Sequence, residues 1–415
     1  MDSPLLDGLT EGLPTLEIIG VLAAFGLLIA LRLKNIDFTL SLIASSLILG
    51  LTSGKPPTIF LDVAVSTLSD TVTWDIFSSV ALITLLGYIL KETGLMEETI
   101  ESLRSFLSSR ILLTTIPALF GILTMPGGAL LSAPFNEPEA DRLKLKAEQK
   151  TFINVWFRHI WFWASPISPT LILAAALAGF TQREFIFAEA PMLFASLLIG
   201  LVASRGFLKG RENTGQKGRD YSSALKGLTP IILVVVISLI GLPVWLALTL
   251  GLATVFAMKR VCVRSLIAFL RRGIRWDIAI TVLAMLYFRY LILDSGSVNS
   301  LLSSLLNSGI PMLLVFIAVP VSVGMISATP SMGLAIVFPL LIPLVENLSV
   351  YMSGLIYAGI VAGYLASPMH LCLVLTNGYY KSSLGKVYRY LIPSVIALYI
   401  ATGIYNLSMN NIYNI

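Results

Sequence analysis

Apolar runs recur along most of the chain and alternate with short polar segments. About 20 apolar residues in a helix suffice to cross the hydrocarbon core of a bilayer. The pattern predicts ten membrane-spanning helices, at residues 17–31, 38–51, 75–90, 152–178, 187–203, 228–241, 243–258, 277–293, 353–378 and 391–407. Two further apolar stretches, 111–135 and 311–343, are predicted to be re-entrant hairpins that enter and leave the membrane on the same side.

Composition agrees with this pattern. The chain is 56% hydrophobic and 12% charged, whereas soluble domains carry about 25% charged residues. We therefore expect an all-α polytopic membrane protein whose main surroundings are the lipid bilayer. The two cysteines, Cys262 and Cys372, give neither a disulfide framework nor a metal-ligand spacing in the sequence, and we expect no cofactor.

The basic residues indicate the orientation of the chain. Cytoplasmic loops of membrane proteins are enriched in Lys and Arg. With the N-terminus outside, the predicted cytoplasmic segments hold 24 of the 28 basic residues, which also explains the net charge of +5 without a nucleic-acid partner. We expect a multi-pass protein of the cytoplasmic membrane with both termini outside and a basic cytoplasmic linker at 204–227.

Two segments of the chain align without gaps at an offset of 202 residues. "WDIFSSVALITLLGYILKETG" begins at Trp74, and "WDIAITVLAMLYFRYLILDSG" begins at Trp276. The same offset places the Ala-Ser-Pro at 164–166 on the Ala-Ser-Pro at 366–368. Each half has an odd number of crossings, so we predict inverted repeats at 1–203 and 228–415, a plan typical of secondary transporters.

Prolines interrupt the predicted helix at 152–178. Pro166 and Pro169 remove backbone donors, and backbone freed in this way is tolerated in a membrane only inside protein or beside a wet cavity. Ser165, Ser168 and Thr170 are suited to cap a restarting helix, whose N-terminus attracts anions. The freed carbonyls near Ser165 and Ser367 suit a coupling Na⁺. A simple kink is the alternative interpretation.

Three other irregular segments are predicted to line a central chamber together with the first break. They are the tips of the two hairpins and the second break at 366–368, and they would provide polar groups for a substrate. Their candidate residues are Pro126, Gly127, Gly128, Ser327, Thr329, Ser331, Ser367, His370, Thr376 and Asn377.

Four ionisable residues lie within the predicted spans. Arg158 and His159 precede the first break and either attract an anionic substrate or, for Arg158, extend to the membrane boundary. His370 follows the second break and either binds substrate or a proton or is bonded to a carbonyl as a structural residue. For Arg289, near the end of its helix, extension to the boundary is the favoured interpretation.

We also expect no Asp or Glu in the middle of the membrane, which disfavours cation/proton antiport and favours a small anionic solute as substrate. An intramembrane enzyme acting on a lipid is a further alternative. The chain has no HExxH, paired-aspartate or GxSxG motif, so we do not expect catalysis.

The segment "MPGGALLSAPF" and the two Ala-Ser-Pro breaks carry a family resemblance. In these features, and over most of 17–407, the chain resembles an uncharacterised prokaryotic, largely archaeal membrane-protein family of the ion transporter superfamily, which includes gluconate, citrate and dicarboxylate permeases. The resemblance implies re-entrant hairpins and interrupted helices around a central site, and a scaffold that forms a homodimer while a transport unit moves. The expected function is uptake of a small organic anion coupled to Na⁺ or H⁺, with inorganic ion transport or sodium/proton antiport as the alternative.

Overall fold

The protein is all-helical over the residues that the computed structural model describes, which are 16–34, 36–122, 128–208, 220–260, 263–296, 309–327, 329–345 and 347–413. Six helical stretches among them are long and apolar enough to cross a membrane. Shorter apolar helices accompany them. The expectation of a multi-pass, all-helical membrane protein is confirmed at this level.

The helices before the central linker begin with two apolar helices and end with a long one. They are α1 Leu16–Leu33, α2 Phe38–Thr52, α3 Ile59–Ser69, α4 Thr71–Glu92, α5 Leu95–Arg104, α6 Ser109–Ile122, α7 Gly128–Arg142, α8 Ala147–Arg158, α9 Pro169–Ala178 and α10 Gln182–Ser204.

The described helices after the linker also begin with two apolar helices and end with a long one. They are α11 Tyr221–Ile240, α12 Val244–Lys259, α13 Val263–Gly273, α14 Trp276–Ser295, α15 Met312–Ser327, α16 Pro330–Leu341, α17 Val350–Ala366, α18 Leu371–Tyr380 and α19 Leu384–Tyr413. Short 3₁₀ turns lie at Ile160–Phe162 and Ile342–Leu344.

Three helices fall in segments that the sequence analysis treated as loops. Helix α3 lies between the second and third predicted crossings, 38–51 and 75–90, and α5 and α13 lie in predicted cytoplasmic segments. Helix α5 has acidic residues in its first turn and buries its apolar side, including Leu95 and Ile100. A search for long apolar runs misses such helices because only one face is apolar.

The helix ends have local causes in the sequence. The Asp70 carboxylate caps α4 by accepting a 3.0 Å hydrogen bond from the Val72 amide. Thr181 and Glu184 form a capping box at the start of α10. Helix α9 ends at Gly179, whose φ of +80° is a left-handed conformation that glycine adopts without strain.

The helices form two packed groups. In one group, α4 and α14 pack against each other and against α2, α3 and α12. In the other group, α6 and α7 form hairpin 1, α15 and α16 form hairpin 2, and both hairpins pack beside the helices α8, α9, α17 and α18. Helix α9 contacts α4, and α16 contacts α14, so the two groups meet along these helices.

Each hairpin approaches its neighbour backbone to backbone at glycines. A Cβ atom at Gly121 of α6 would lie 2.0 Å from the Arg158 carbonyl oxygen, and one at Gly324 of α15 would lie 2.3 Å from the Ile360 carbonyl oxygen. Trp161 donates a 2.9 Å hydrogen bond to the Ala118 carbonyl. At Gly363, a Cβ atom would lie 2.1 Å from the Val321 carbonyl oxygen. Only small residues allow helices to come this close.

Candidate functional site

The first helix break lies between Arg158 and Pro169 and is almost completely buried. Ser168 caps α9 by accepting a hydrogen bond from the Leu171 amide at 3.5 Å, and Pro169 occupies the first helical position, where proline is tolerated. The Ser165 hydroxyl accepts from the Ile167 amide at 3.4 Å. The Pro166 carbonyl accepts a short hydrogen bond from the side-chain amide of Gln182. Protein groups therefore satisfy much of the backbone that the prolines release.

The second break lies between Ala366 and Leu371. The Ser367 hydroxyl accepts a 3.2 Å hydrogen bond from the Met369 amide, and the Ala366 carbonyl accepts one of 2.9 Å from the Tyr388 hydroxyl. Ser367 and His370 are fully buried. This break is therefore also enclosed by protein at its serine and histidine.

The two breaks meet at their histidines. The ring centroids of His159 and His370 are 4.8 Å apart, and the Tyr364 ring lies 4.1 Å from that of His370. Helices α8 and α18 run antiparallel from this point, as shown by further contacts between Thr151 and Ser382 at 2.7 Å and between Asn154 and Thr376 at 3.2 Å.

Asn154 joins three elements and was missed by the sequence analysis. Its side-chain amide donates to the Ala129 carbonyl of α7 at 2.9 Å and to the Thr376 hydroxyl of α18, and its oxygen accepts from the Ser132 hydroxyl at 2.8 Å. The residue is fully buried. An asparagine inside the predicted span 152–178 was the available signal, because buried polar side chains in membranes need partners.

Replacing Asn154 with leucine is expected to destabilise the protein strongly. It would take one hydrogen-bond partner each from the Ala129 carbonyl, the Ser132 hydroxyl and the Thr376 hydroxyl, at about 0.5–1.5 kcal/mol for each bond lost. The Ala129 carbonyl and the Ser132 hydroxyl keep their bond to each other. Thermal unfolding in detergent measures the effect. Thr376→Val, which removes only the hydroxyl that Asn154 contacts, is the matched control with a smaller loss. Equal melting temperatures for Asn154→Leu and the unmodified protein would contradict this role.

Arg158 is buried inside the protein. The residue is 6% exposed, and its guanidinium group donates a 2.6 Å hydrogen bond to the Phe120 carbonyl of α6. The guanidinium is therefore held by protein groups, and the two interpretations considered from the sequence stay predictions. The charge is held beside the C-terminal end of α6, close to the first break.

The remaining predicted residues are only partly brought together. The Ser327 hydroxyl bonds within the tip of hairpin 2, to the carbonyls of Gly324 and Thr329. Thr329 is exposed, and Ser331 is half-buried. Asn377 accepts a short hydrogen bond from Ser382. Thr170 is buried in the first turn of α9. Gly128 is the first residue of α7, whereas Pro126 and Gly127 lie outside the described residues.

A cavity of about 590 Å³ lies away from the breaks, between α4, α9, α10, α11, α12 and α14. Its charged and polar lining includes Asp75, Arg183, Arg289 and Tyr290. Arg289 lies 5.4 Å from the Tyr290 ring centroid. This arginine therefore lines a cavity between the two helix groups, and its extension to the membrane boundary stays a prediction.

Glu189 is a buried acidic residue near one end of the predicted crossing 187–203. It lies in the apolar helix α10, about 10 Å from the start of that helix, and is fully buried. Neither carboxylate oxygen makes a hydrogen bond, and the neighbouring Asn406 amide makes none either. The residue is the third of the predicted crossing 187–203, at one end of that crossing and not at its middle, so the expectation of no acidic residue in the middle of the membrane stays a prediction.

Comparisons with known proteins place the chain among membrane proteins of similar fold. The crystal structure of the Alcanivorax borkumensis YdaH transporter, described as having an unusual topology, is similar with a TM-score of 0.57 and 15% sequence identity. The similarity covers 83% of this chain and 89% of that one. At this identity the match shows a shared fold. A search of curated protein sequences finds no match.

A family model described as "Protein of unknown function (DUF401)" matches residues 18–407. This match covers nearly the whole chain and both helix breaks. The chain belongs to the DUF401 family.

Proposed function

We propose that the protein is a secondary active transporter that moves a small organic anion across the cytoplasmic membrane by alternating access. The observation that carries the proposal is the meeting of two interrupted helices at His159 and His370, whose ring centroids are 4.8 Å apart. Interrupted helices near the bilayer midplane are the usual binding elements of such transporters. The fold shared with a protein described as a transporter supports the same function.

The proposed architecture is a pair of inverted repeats, one at 1–203 and the other at 228–415, with the termini outside and both helical pairs re-entrant. Equivalent contacts support it. Gly121 approaches Arg158 as Gly324 approaches Ile360, at offsets of 203 and 202 residues. Hairpin 1 packs on α8 and α18, whereas hairpin 2 packs on α17 and α9, so the two halves exchange partners across the centre.

The groups around the breaks favour a small anion as substrate. Helices α9 and α18 restart at the breaks, and their N-terminal N–H groups favour negative charge. Arg158 adds a buried positive charge beside the first break. Ser165, Ser168 and Ser367 provide hydroxyl groups in the same buried region.

Coupling to H⁺ is supported better than coupling to Na⁺. The Pro166 and Ala366 carbonyls, beside the serines where Na⁺ was expected, already accept hydrogen bonds from Gln182 and Tyr388. Glu189 is a buried carboxyl without a hydrogen bond in an apolar helix, and such residues commonly carry protons in transporters. Glu189 also favours a second candidate function, sodium/proton antiport.

The function is tested by a thermal-shift screen of carboxylates and inorganic oxyanions, with and without Na⁺, at acidic and at alkaline pH. A ligand at 100 times its dissociation constant stabilises a protein by about 2.7 kcal/mol. We expect one class of small carboxylate to raise the melting temperature, and more so at acidic pH. Stabilisation by Na⁺ alone would favour the antiporter, and no stabilisation by any anion would contradict the proposal.

Ser367→Ala is expected to reduce the shift caused by the anion at least by half. The hydroxyl is fully buried at the second break, whereas alanine still fits the space. Ser204→Ala is the matched control, because the Ser204 hydroxyl is equally buried but bonds only within its own helix, to the carbonyls of Gly200 and Leu201. A full shift in Ser367→Ala would exclude this serine from the binding site.

A further inference from the structure

Both histidines of the chain and one of its two cysteines meet at a single point. A nitrogen of His159, a nitrogen of His370 and the Cys372 sulfur all lie within 4.8 Å of one another. The three residues are buried, with His370 fully so. Because the chain has only four such side chains, the convergence of three of them from opposite halves of the sequence requires an explanation.

The His159 ring is oriented as a metal ligand would be. Its Nδ1 atom lies 2.6 Å from the Val155 carbonyl oxygen, to which it donates. This bond leaves the Nε2 lone pair as an acceptor, to which the Tyr364 hydroxyl donates a long hydrogen bond of 3.4 Å that a metal ion could replace. Histidine ligands of metals typically donate their other N–H group to a backbone carbonyl in this way.

The His370 ring makes no ordinary hydrogen bond through either nitrogen, although it is fully buried. A buried imidazole without a partner is costly. A metal ion between His370, His159 and Cys372 would satisfy it, since neutral imidazole and thiolate are the preferred ligands of Zn²⁺. Among the described residues, this is the one group of three or more His, Cys, Asp or Glu side chains whose donor atoms lie this close.

The distances suit an ion that draws the donors together. Zn–N bonds of about 2.0–2.1 Å and Zn–S bonds of about 2.3 Å in a tetrahedron place the donor atoms roughly 3.3–3.6 Å apart. The donors lie within 4.8 Å of one another, so side-chain movements of about 1 Å would close the site. Tyr364 is in ring contact with both histidines, and its hydroxyl lies 3.4 Å from His159 Nε2.

We propose that His159, His370 and Cys372 form a binding site for a Zn²⁺-type ion that joins the two helix breaks. The site goes beyond the proposed transport function, because binding can be measured without any transported substrate. It also explains why the chain places both its histidines at this point.

The test is a titration of the full chain in detergent with Cd²⁺, followed by displacement with Zn²⁺, using an affinity tag that contains neither histidine nor cysteine. A Cd²⁺–thiolate bond gives a charge-transfer absorption in the ultraviolet. We expect this band to saturate at one equivalent of Cd²⁺ and to disappear when Zn²⁺ is added. No band with the folded, monodisperse protein would overturn the proposal.

Matched variants identify the ligands. Cys262→Ser is expected to retain the band, and the nearly isosteric Cys372→Ser to lose it. His370→Gln is expected to weaken binding at least about 100-fold, since even the loss of a supporting residue costs about 10–100-fold. If His370→Gln does not fold, His159→Gln provides the same measurement. A band that survives in Cys372→Ser, or that is lost in Cys262→Ser, would overturn the assignment.

Discussion

Exchange of Gly363 for alanine is expected to leave little folded protein. A Cβ atom at this position would lie 2.1 Å from the Val321 carbonyl oxygen and 2.7 Å from the Met325 nitrogen, both backbone atoms of α15. Backbone atoms in a helix cannot move aside as the end of a side chain can, so α15 and α17 would have to separate. Overpacking commonly costs about 1–3 kcal/mol and more where the surroundings cannot relax. We expect this substitution to lie above that range.

Size-exclusion chromatography and thermal unfolding of the detergent-solubilised protein measure the result. Gly378→Ala is the matched control, because it makes the same change in α18, where an added Cβ atom meets nothing within 4 Å. Alanine is favoured over glycine within a helix by about 0.5–1 kcal/mol, so this variant should be as stable as the unmodified protein or slightly more stable. Gly121→Ala should resemble Gly363→Ala. Similar melting temperatures for Gly363→Ala and Gly378→Ala would contradict the close packing of hairpin 2 on α17.

The positions of the two helix breaks could be predicted because their causes are local. Pro166, Pro169 and Pro368 act on the turn that precedes them, whatever the rest of the chain does. The structure interrupts its helices at these places, between Arg158 and Pro169 and between Ala366 and Leu371. The amphipathic helices α5 and α13 were missed because a span search recognises only long apolar runs.

The cluster at the centre could not be predicted because it depends on contacts between distant parts of the chain. His159 and His370 are in different halves, and no spacing rule connects them. The cysteines were judged from local spacing alone, which carries no information on His159, a neighbour of Cys372 that comes from the other half. Only the packing of α8 against α18 brings these side chains together.

Glu189 could have been recognised from the sequence. It lies within the predicted crossing 187–203, close to the end of that crossing. The structure buries Glu189 completely. Its Oε1 atom is so close to Gly354 of α17 that a Cβ atom at Gly354 would lie 2.0 Å from it. Burial at a helix end is decided by the neighbouring helices, in this case α17 and α19, and not by depth alone.

Glu189→Gln is expected to abolish proton-coupled transport while leaving the protein stable. A glutamine has nearly the shape of glutamic acid but cannot take up or release a proton. Because the carboxylate of Glu189 has no hydrogen bond in its buried position, a neutral amide should be tolerated there, and we expect an equal or higher melting temperature. A fall of about tenfold or more in proton movement is expected, since the proposal places the coupling proton on this carboxyl group.

The measurement uses proteoliposomes that contain a trapped pH-sensitive dye and are exposed to succinate or to Na⁺. Acidification of the lumen by succinate indicates anion uptake with H⁺, whereas alkalinisation by inward Na⁺ indicates antiport. Whichever signal the unmodified protein gives should fall by about tenfold or more in Glu189→Gln. The matched control is Glu184→Gln, which makes the same change in the first turn of α10, where the side chain is exposed. Equal proton movement in Glu189→Gln and Glu184→Gln would remove Glu189 from the coupling mechanism. It would leave the meeting of the helix breaks as support for a transporter whose driving ion binds elsewhere.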